Sequence, residues 1–196
     1  DENVGRIINA LKANDLFENT IVVFTSDHGI CMGAHNQPGK DIFYEESMRI
    51  PMIISWPEKI KPRKDKQLMI AFADLYPSLL SMMGFQKEIP ETVQTFDLSQ
   101  EILGKTPKDI VQPYYFVQYD NHSTGYRGLR TARYTFVVHA TNGKIDETVL
   151  YDRSNDPYQI HNIARRSPKQ VGQFYKQLKT WLNQTNDSFT NYLTIQ

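Results

Sequence analysis

One cysteine, Cys31, stands in the whole sequence, so no internal disulfide framework is available to it. Long hydrophobic runs are missing as well. The apolar stretches "IVVF" and "MII" fall far short of the roughly 20 residues that a membrane span requires. Neither sign of charge is in excess: Lys plus Arg and Asp plus Glu both number 22. No basic surplus is left to neutralise phosphates, and a nucleic-acid partner is not expected. The opening "DENVGRIINALKAND" lacks a basic stub and an apolar h-region, so no signal peptide is expected there. This helix-like start, on a residue other than Met, raises the expectation of a piece of something longer.

What is present is the composition of a soluble globular protein, 40% hydrophobic and 22% charged over 196 residues. That length suits one domain, or one and a half, with a real core. Val4, Ile7, Ile8 and Leu11 fall at helical spacing, with Asn14 and Asp15 as stop signals. Residues 20–25 form a continuous β-branched and aromatic run, the pattern of a parallel strand covered on both faces. Residues 29–40 hold three glycines and a proline and read as a long loop, and "PMIIS" is a second short strand. The charge run "KIKPRKDK" reads as a solvated surface loop. Asp74 is a candidate N-cap for a helix through "LYPSLLSMM" that ends at Gly84, and residues 85–112 are loop-rich.

From about residue 113 the pattern changes to aromatic and β-branched alternation, with an Asn-Gly hairpin turn in "TNGK". A closing helix over about 168–182 would share Val171, Phe174, Leu178 and Trp181 on one face. The expected organisation is an α/β portion, 1–112, followed by a small antiparallel sheet with a covering helix, 113–196.

The most informative stretch is "TIVVFTSDHGICMGAHNQPGKDIFYEES". In open α/β sheets ligands bind beyond the carboxyl ends of the strands, where Asp27 and His28 stand. Neighbours on a regular strand point to opposite faces, so the two can share a ligand only after the strand breaks, and Gly29 supplies a permissive backbone. A hard carboxylate oxygen beside an imidazole nitrogen suits a divalent metal, although a structural Asp-His pair fits the dipeptide too. Lys40 adds a compact positive charge for an anionic oxygen that a metal would also touch. Adjacent residues on a helical turn do not face each other, so Glu45 and Glu46 read as structural rather than as a catalytic carboxylate pair.

"NTIVVFTSDHG", "MGAHNQPGK", "YEESMRIPMIISWP" and "DLYPSLLSMMG", followed by "RGLRTARYTFV" and "LYDRSNDPYQIHNIA", resemble the C-terminal half of a sulfatase of the alkaline-phosphatase-like superfamily. The resemblance covers nearly the whole chain in order. It implies the C-terminal part of an alkaline-phosphatase-like sandwich with a C-terminal antiparallel sheet and helix. It also implies hydrolysis of a sulfuric ester by the full-length protein, with a sulfated carbohydrate as the expected substrate. Within the family's Ser-Asp-His/Asn-Gly motif, Asp27 and His28 would be ligands of an active-site calcium, with manganese or zinc as the lesser expectation. Lys40, twelve positions past His28, would contact the sulfate. His35 is a candidate proton donor to the leaving-group oxygen, against a loop hydrogen-bonding role. His122 is a candidate substrate contact, against a plain surface histidine.

The family's formylglycine arises within Cys/Ser-x-Pro/Ala-x-Arg, and no such motif occurs here. Cys31, in "ICMGAH", is therefore rejected as nucleophile and read as a packing residue. The formylglycine is expected in a missing N-terminal half, and the 196 residues alone are expected to be inactive. Two rivals stand beside this reading: a phosphodiesterase or phosphonate hydrolase of the same superfamily, and a non-catalytic binding module. The resemblance is compatible with a periplasmic or secreted setting, and the sequence does not fix the oligomeric state.

Overall fold

A computed structural model describes residues 1–65, 67–105 and 123–193, together with the backbone of 112–117. In chain order the main elements are α1 (Glu2–Ala13), β1 (Val22–Thr25), α2 (Glu45–Met48), β2 (Met52–Ser55), α3 (Leu75–Met82) and α4 (Ser99–Ile102). Then follow β3 (Gln112–Val117), β4 (Gly125–Arg130), β5 (Tyr134–Thr141), β6 (Lys144–Asp152) and α5 (Pro168–Gln184). They form two compact units, Asp1–Asp27 with Ile50–Lys108, and His28–Arg49 with Asp109–Gln196. The strand-end motif is thus divided within itself, its loop grouping with the C-terminal residues. No helix among the described residues is long and apolar enough to cross a membrane.

In the first unit α1 ends where the sequence predicts, with Asn14 as C-cap and Asp15 left-handed at φ 57°. None of its residues is buried, and Ile7 of the apolar stripe is 62% exposed. β1 pairs with β2 in antiparallel register, Val22 opposite Ser55 and Thr25 opposite Met52. The expected parallel pairing is not what these two strands make. A run of β-branched residues specifies a strand but carries no direction, and direction is set by which partner the chain brings alongside.

α3 ends in the expected manner. Gly84 adopts φ +88°, and the Phe85 N–H reaches back to the Leu80 carbonyl in the six-residue closure of a Schellman turn. Asp74 precedes α3, but its side chain does not cap that helix. Its carboxylate accepts from the Ala71 and Phe96 N–H groups at 2.8 and 3.0 Å and closes the turn before α3 instead.

The second unit is built on a four-stranded antiparallel sheet in the order β3-β4-β5-β6. Asn142 and Gly143, at φ 50° and 76°, form the two-residue turn between β5 and β6 that the Asn-Gly pair predicts. Alternation along β5 and β6 gives the sheet two apolar faces. On one, Phe136, Val138, Ala140 and Leu150 pack with Phe174, Leu178 and Leu182 of α5. The buried stripe of α5 is rotated from the predicted one: Leu182 is fully buried and Trp181 is only partly so. On the other face, Val137, Val149 and Tyr151 enclose Phe43, with Ile42, Tyr44 and Met48 around it. The loop segment that carries the motif therefore rests on the C-terminal sheet through its own aromatic residues.

The end of β6 is pinned by charge. Arg133 donates to both Asp152 carboxylate oxygens at 2.9 and 2.6 Å. These hydrogen bonds prevail over burial, with help from Asn155, and hold the Asp152 carboxyl at about 2 against an ordinary 3.8. A carboxyl lowered by folding contributes stability that is whole above its ordinary value and lost as pH falls toward 2. Urea unfolding at pH 5 and pH 2.5 is therefore expected to show a loss of stability that shrinks in Asp152→Asn. An equal loss in both proteins would exclude this linkage.

Candidate metal and anion site

β1 stops at Thr25, and the chain bends at Asp27. The Ser26 hydroxyl donates to Asp27 Oδ1 at 3.3 Å. Gly29 serves the break by its missing side chain rather than by a left-handed backbone. A Cβ there would lie 2.1 Å from the Glu46 carbonyl oxygen, which lets the Gly29 N–H donate to the Ser47 carbonyl at 2.8 Å. The loop that follows is closed at its neck by the Cys31 N–H donating to the Gly39 carbonyl at 2.8 Å. Within it the non-glycine residues Met32, His35 and Asn36 all take positive φ, followed by Asp41. Such conformations persist only where the surroundings over-determine them.

Closing the neck returns Lys40 to His28. His28 Nδ1 lies 2.7 Å from the Gly29 carbonyl oxygen, an atom that can only accept, so Nδ1 carries the proton. The lone pair is then on Nε2, and Lys40 Nζ lies 2.5 Å from it. A histidine whose one N–H is tied to a backbone carbonyl presents its other nitrogen as metal ligands do. This observation fits His28 to a divalent cation. Among the described residues no group of three or more His, Cys, Asp and Glu converges as a metal cluster. Asp27 and His28 stand next to each other where the chain bends after β1.

His35 is placed differently. Its ring lies flat on that of Tyr44, 3.6 Å between centroids and 1° between planes. Its Nε2 is 3.3 Å from Glu46 Oε2, and the side chain is 8% exposed. His122 lies outside the described residues. Cys31 is 3% exposed, and burial and then the Glu46 charge push its thiol pKa up, which suits the packing role and not a nucleophile. His139 is held by Asp146 at 2.6 Å.

Three residues of this region carry no sequence signal. Arg130 on β4 donates through Nε and Nη2 to the two Glu45 carboxylate oxygens at 2.9 and 2.8 Å. Arg153 Nε lies 3.8 Å from the same carboxylate. The Glu45 N–H donates to Gln159 Oε1 at 2.7 Å. Burial alone would raise the Glu45 pKa, but the hydrogen bond and charge of Arg130, with Arg153 and Arg49, leave it lowered. Glu45 is therefore a structural anion, as its position beside Glu46 predicts.

The family profile described as N-sulphoglucosamine sulphohydrolase, C-terminal, matches residues 33–188. An endo-4-O-sulfatase of Bacteroides thetaiotaomicron is 34% identical over 212 residues, covering 95% of this chain and 40% of that protein. A Bacteroides fragilis crystal structure carrying the sulfatase designation yidJ superposes with TM-score 0.96 at 70% identity, over 99% of this chain and 42% of that one. A structure solved with its substrate D-glucosamine-2-N,6-O-disulfate superposes with TM-score 0.83 at 30% identity, over 95% and 39%. The chain belongs to the sulfatase family, in its C-terminal portion. The expected α/β class, the C-terminal part of an alkaline-phosphatase-like fold with an antiparallel sheet and packed helix, stands. The chain spans about 40% of the length of these relatives.

Proposed function

We propose that the protein carrying this chain hydrolyses a sulfuric ester of a carbohydrate, and that residues 27–40 contribute the metal-ligand and sulfate-binding part of its active site. The single observation that carries this reading is the pairing of His28 with Lys40, which sets a ligand nitrogen and a cationic donor side by side. Family membership supports the reaction class, and the sugar sulfates named for the relatives support the substrate class.

Asp27 and His28 would hold calcium. When bound, it supplies fixed positive charge to sulfuryl oxygens, and the formylglycine that the resemblance assigns to an upstream segment supplies the nucleophile. The chain's own residues do the rest. The Gly29 carbonyl fixes the His28 tautomer and directs Nε2 outward. Lys40 brings an ammonium with three N–H donors to that nitrogen, so an anionic oxygen beside His28 is beside Lys40 as well. Glu46 and Tyr44 hold His35 within the loop, where its proton-donor role requires Nε2 to be released from Glu46.

The test is made on the full-length protein. Wild type is expected to bind calcium and to release sulfate from glucosamine 6-sulfate, with both lost in Asp27→Ala while the thermal unfolding midpoint measured in chelator is unchanged. Full turnover of wild type in excess chelator would overturn the metal assignment. Hydrolysis of an aryl phosphonate but of no sulfate ester would overturn the substrate class.

A further inference from the structure

The clasp around Glu45 includes none of the residues assigned above, yet it holds the segment that contacts them. Glu45 is gripped by both its backbone and its side chain. Gln159, 1% exposed, accepts from its N–H, and Arg130 binds its carboxylate with a two-pronged guanidinium. Both partners come from the C-terminal sheet and the loop after β6, 85 and 114 residues further along the chain. A fork-and-carboxylate pair, here partly buried, fixes direction as well as distance.

α2 begins at Glu45, and its next two residues touch the site loop. The Glu46 carbonyl closes on the Gly29 backbone, the Ser47 carbonyl accepts from the Gly29 N–H, and the Glu46 carboxylate meets His35. Gly29 in turn supplies the carbonyl that sets the His28 tautomer, and the neck bond from Cys31 to Gly39 carries the constraint to Lys40. The loop between them is strained at Met32 and His35, and its own backbone hydrogen bonds, such as Gly33 N–H to the Gln37 carbonyl, leave that strain to be held. α2 is where the loop meets an anchor outside itself.

We propose that Arg130, with Gln159, is a positioning residue: by locking Glu45 it fixes α2, and through Gly29 it sets the relative placement of His28 and Lys40. The proposal rests on the sulfatase reading for its catalytic consequence, but not for its structural one.

The experiment uses Arg130→Lys in the full-length protein, which keeps the charge and removes the fork. Arg133→Lys, which opens the separate pair with Asp152 on the same sheet, serves as the comparison. Nitrogen-15 spectra of the histidines, recorded without metal, read the His28 tautomer directly. Arg130→Lys is expected to fold, to show a mixed His28 tautomer, and to lose calcium affinity and kcat by about 10- to 100-fold, as supporting residues of metal ligands do. Arg133→Lys is expected to match wild type in all three. Spectra and affinity in Arg130→Lys equal to wild type would overturn the proposal. If Arg130→Lys does not fold, Gln159→Ala, which removes only the hydrogen bond to the Glu45 N–H, gives the same reading. If wild type hydrolyses no sulfate ester, the functional reading fails, and the His28 spectra still decide the positioning role.

Discussion

Lys40→Met in the full-length protein is expected to reduce sulfate-ester turnover by about 100- to 1,000-fold, the effect of losing one preorganised charge that meets developing negative charge. The side chain keeps its length and loses its ammonium. Its partner atom, His28 Nε2, keeps its orientation because the Gly29 carbonyl holds the other ring nitrogen. Metal affinity and unfolding temperature should therefore change little while kcat collapses. Steady-state assays beside calcium titration separate these quantities. Turnover within a factor of three of wild type would remove Lys40 from the site and leave His28 with a structural partner only.

A stability effect of comparable weight is expected at Asp187. Arg127 on β4 is 1% exposed, and its Nε donates to Asp187 Oδ2 at 2.6 Å. The guanidinium lies over the Phe189 ring at 4.8 Å. Asp187→Ala takes this carboxylate away from the buried cation, which costs up to about 3–5 kcal/mol. It also removes the acceptor for the Phe189 N–H that caps the 188–192 turn. The double variant Arg127→Met with Asp187→Ala removes both charges and is expected to recover all but about 1 kcal/mol, the usual worth of a cap. Urea denaturation of the three proteins decides it, and a double variant no more stable than the single would show that the charge is not the cause.

The parts legible in the sequence are those written in neighbouring residues. The helical spacing of Val4, Ile7, Ile8 and Leu11, the Asn142-Gly143 turn and the glycine after α3 are local patterns, and each element forms where its pattern lies. Lys40 and His28 are twelve residues apart, yet a single backbone bond at the loop neck brings them back together. Two kinds of information were not local. The direction of β1 depends on β2, which no property of "IVVF" specifies. The hold on Glu45 comes from Arg130 and Gln159, and neither residue type at those distances predicts a partner.

Phe43 changes how the C-terminal residues should be regarded. The ring is 2% exposed and fills the second face of the sheet among Val137, Val149 and Tyr151. Trimming an enzyme for expression commonly means cutting away what looks like a tail. A cut ahead of β3 would here keep Asp27, His28 and Lys40 in the sequence while turning an aromatic wedge out into water, and the shortened product would carry these three residues beside an adhesive end.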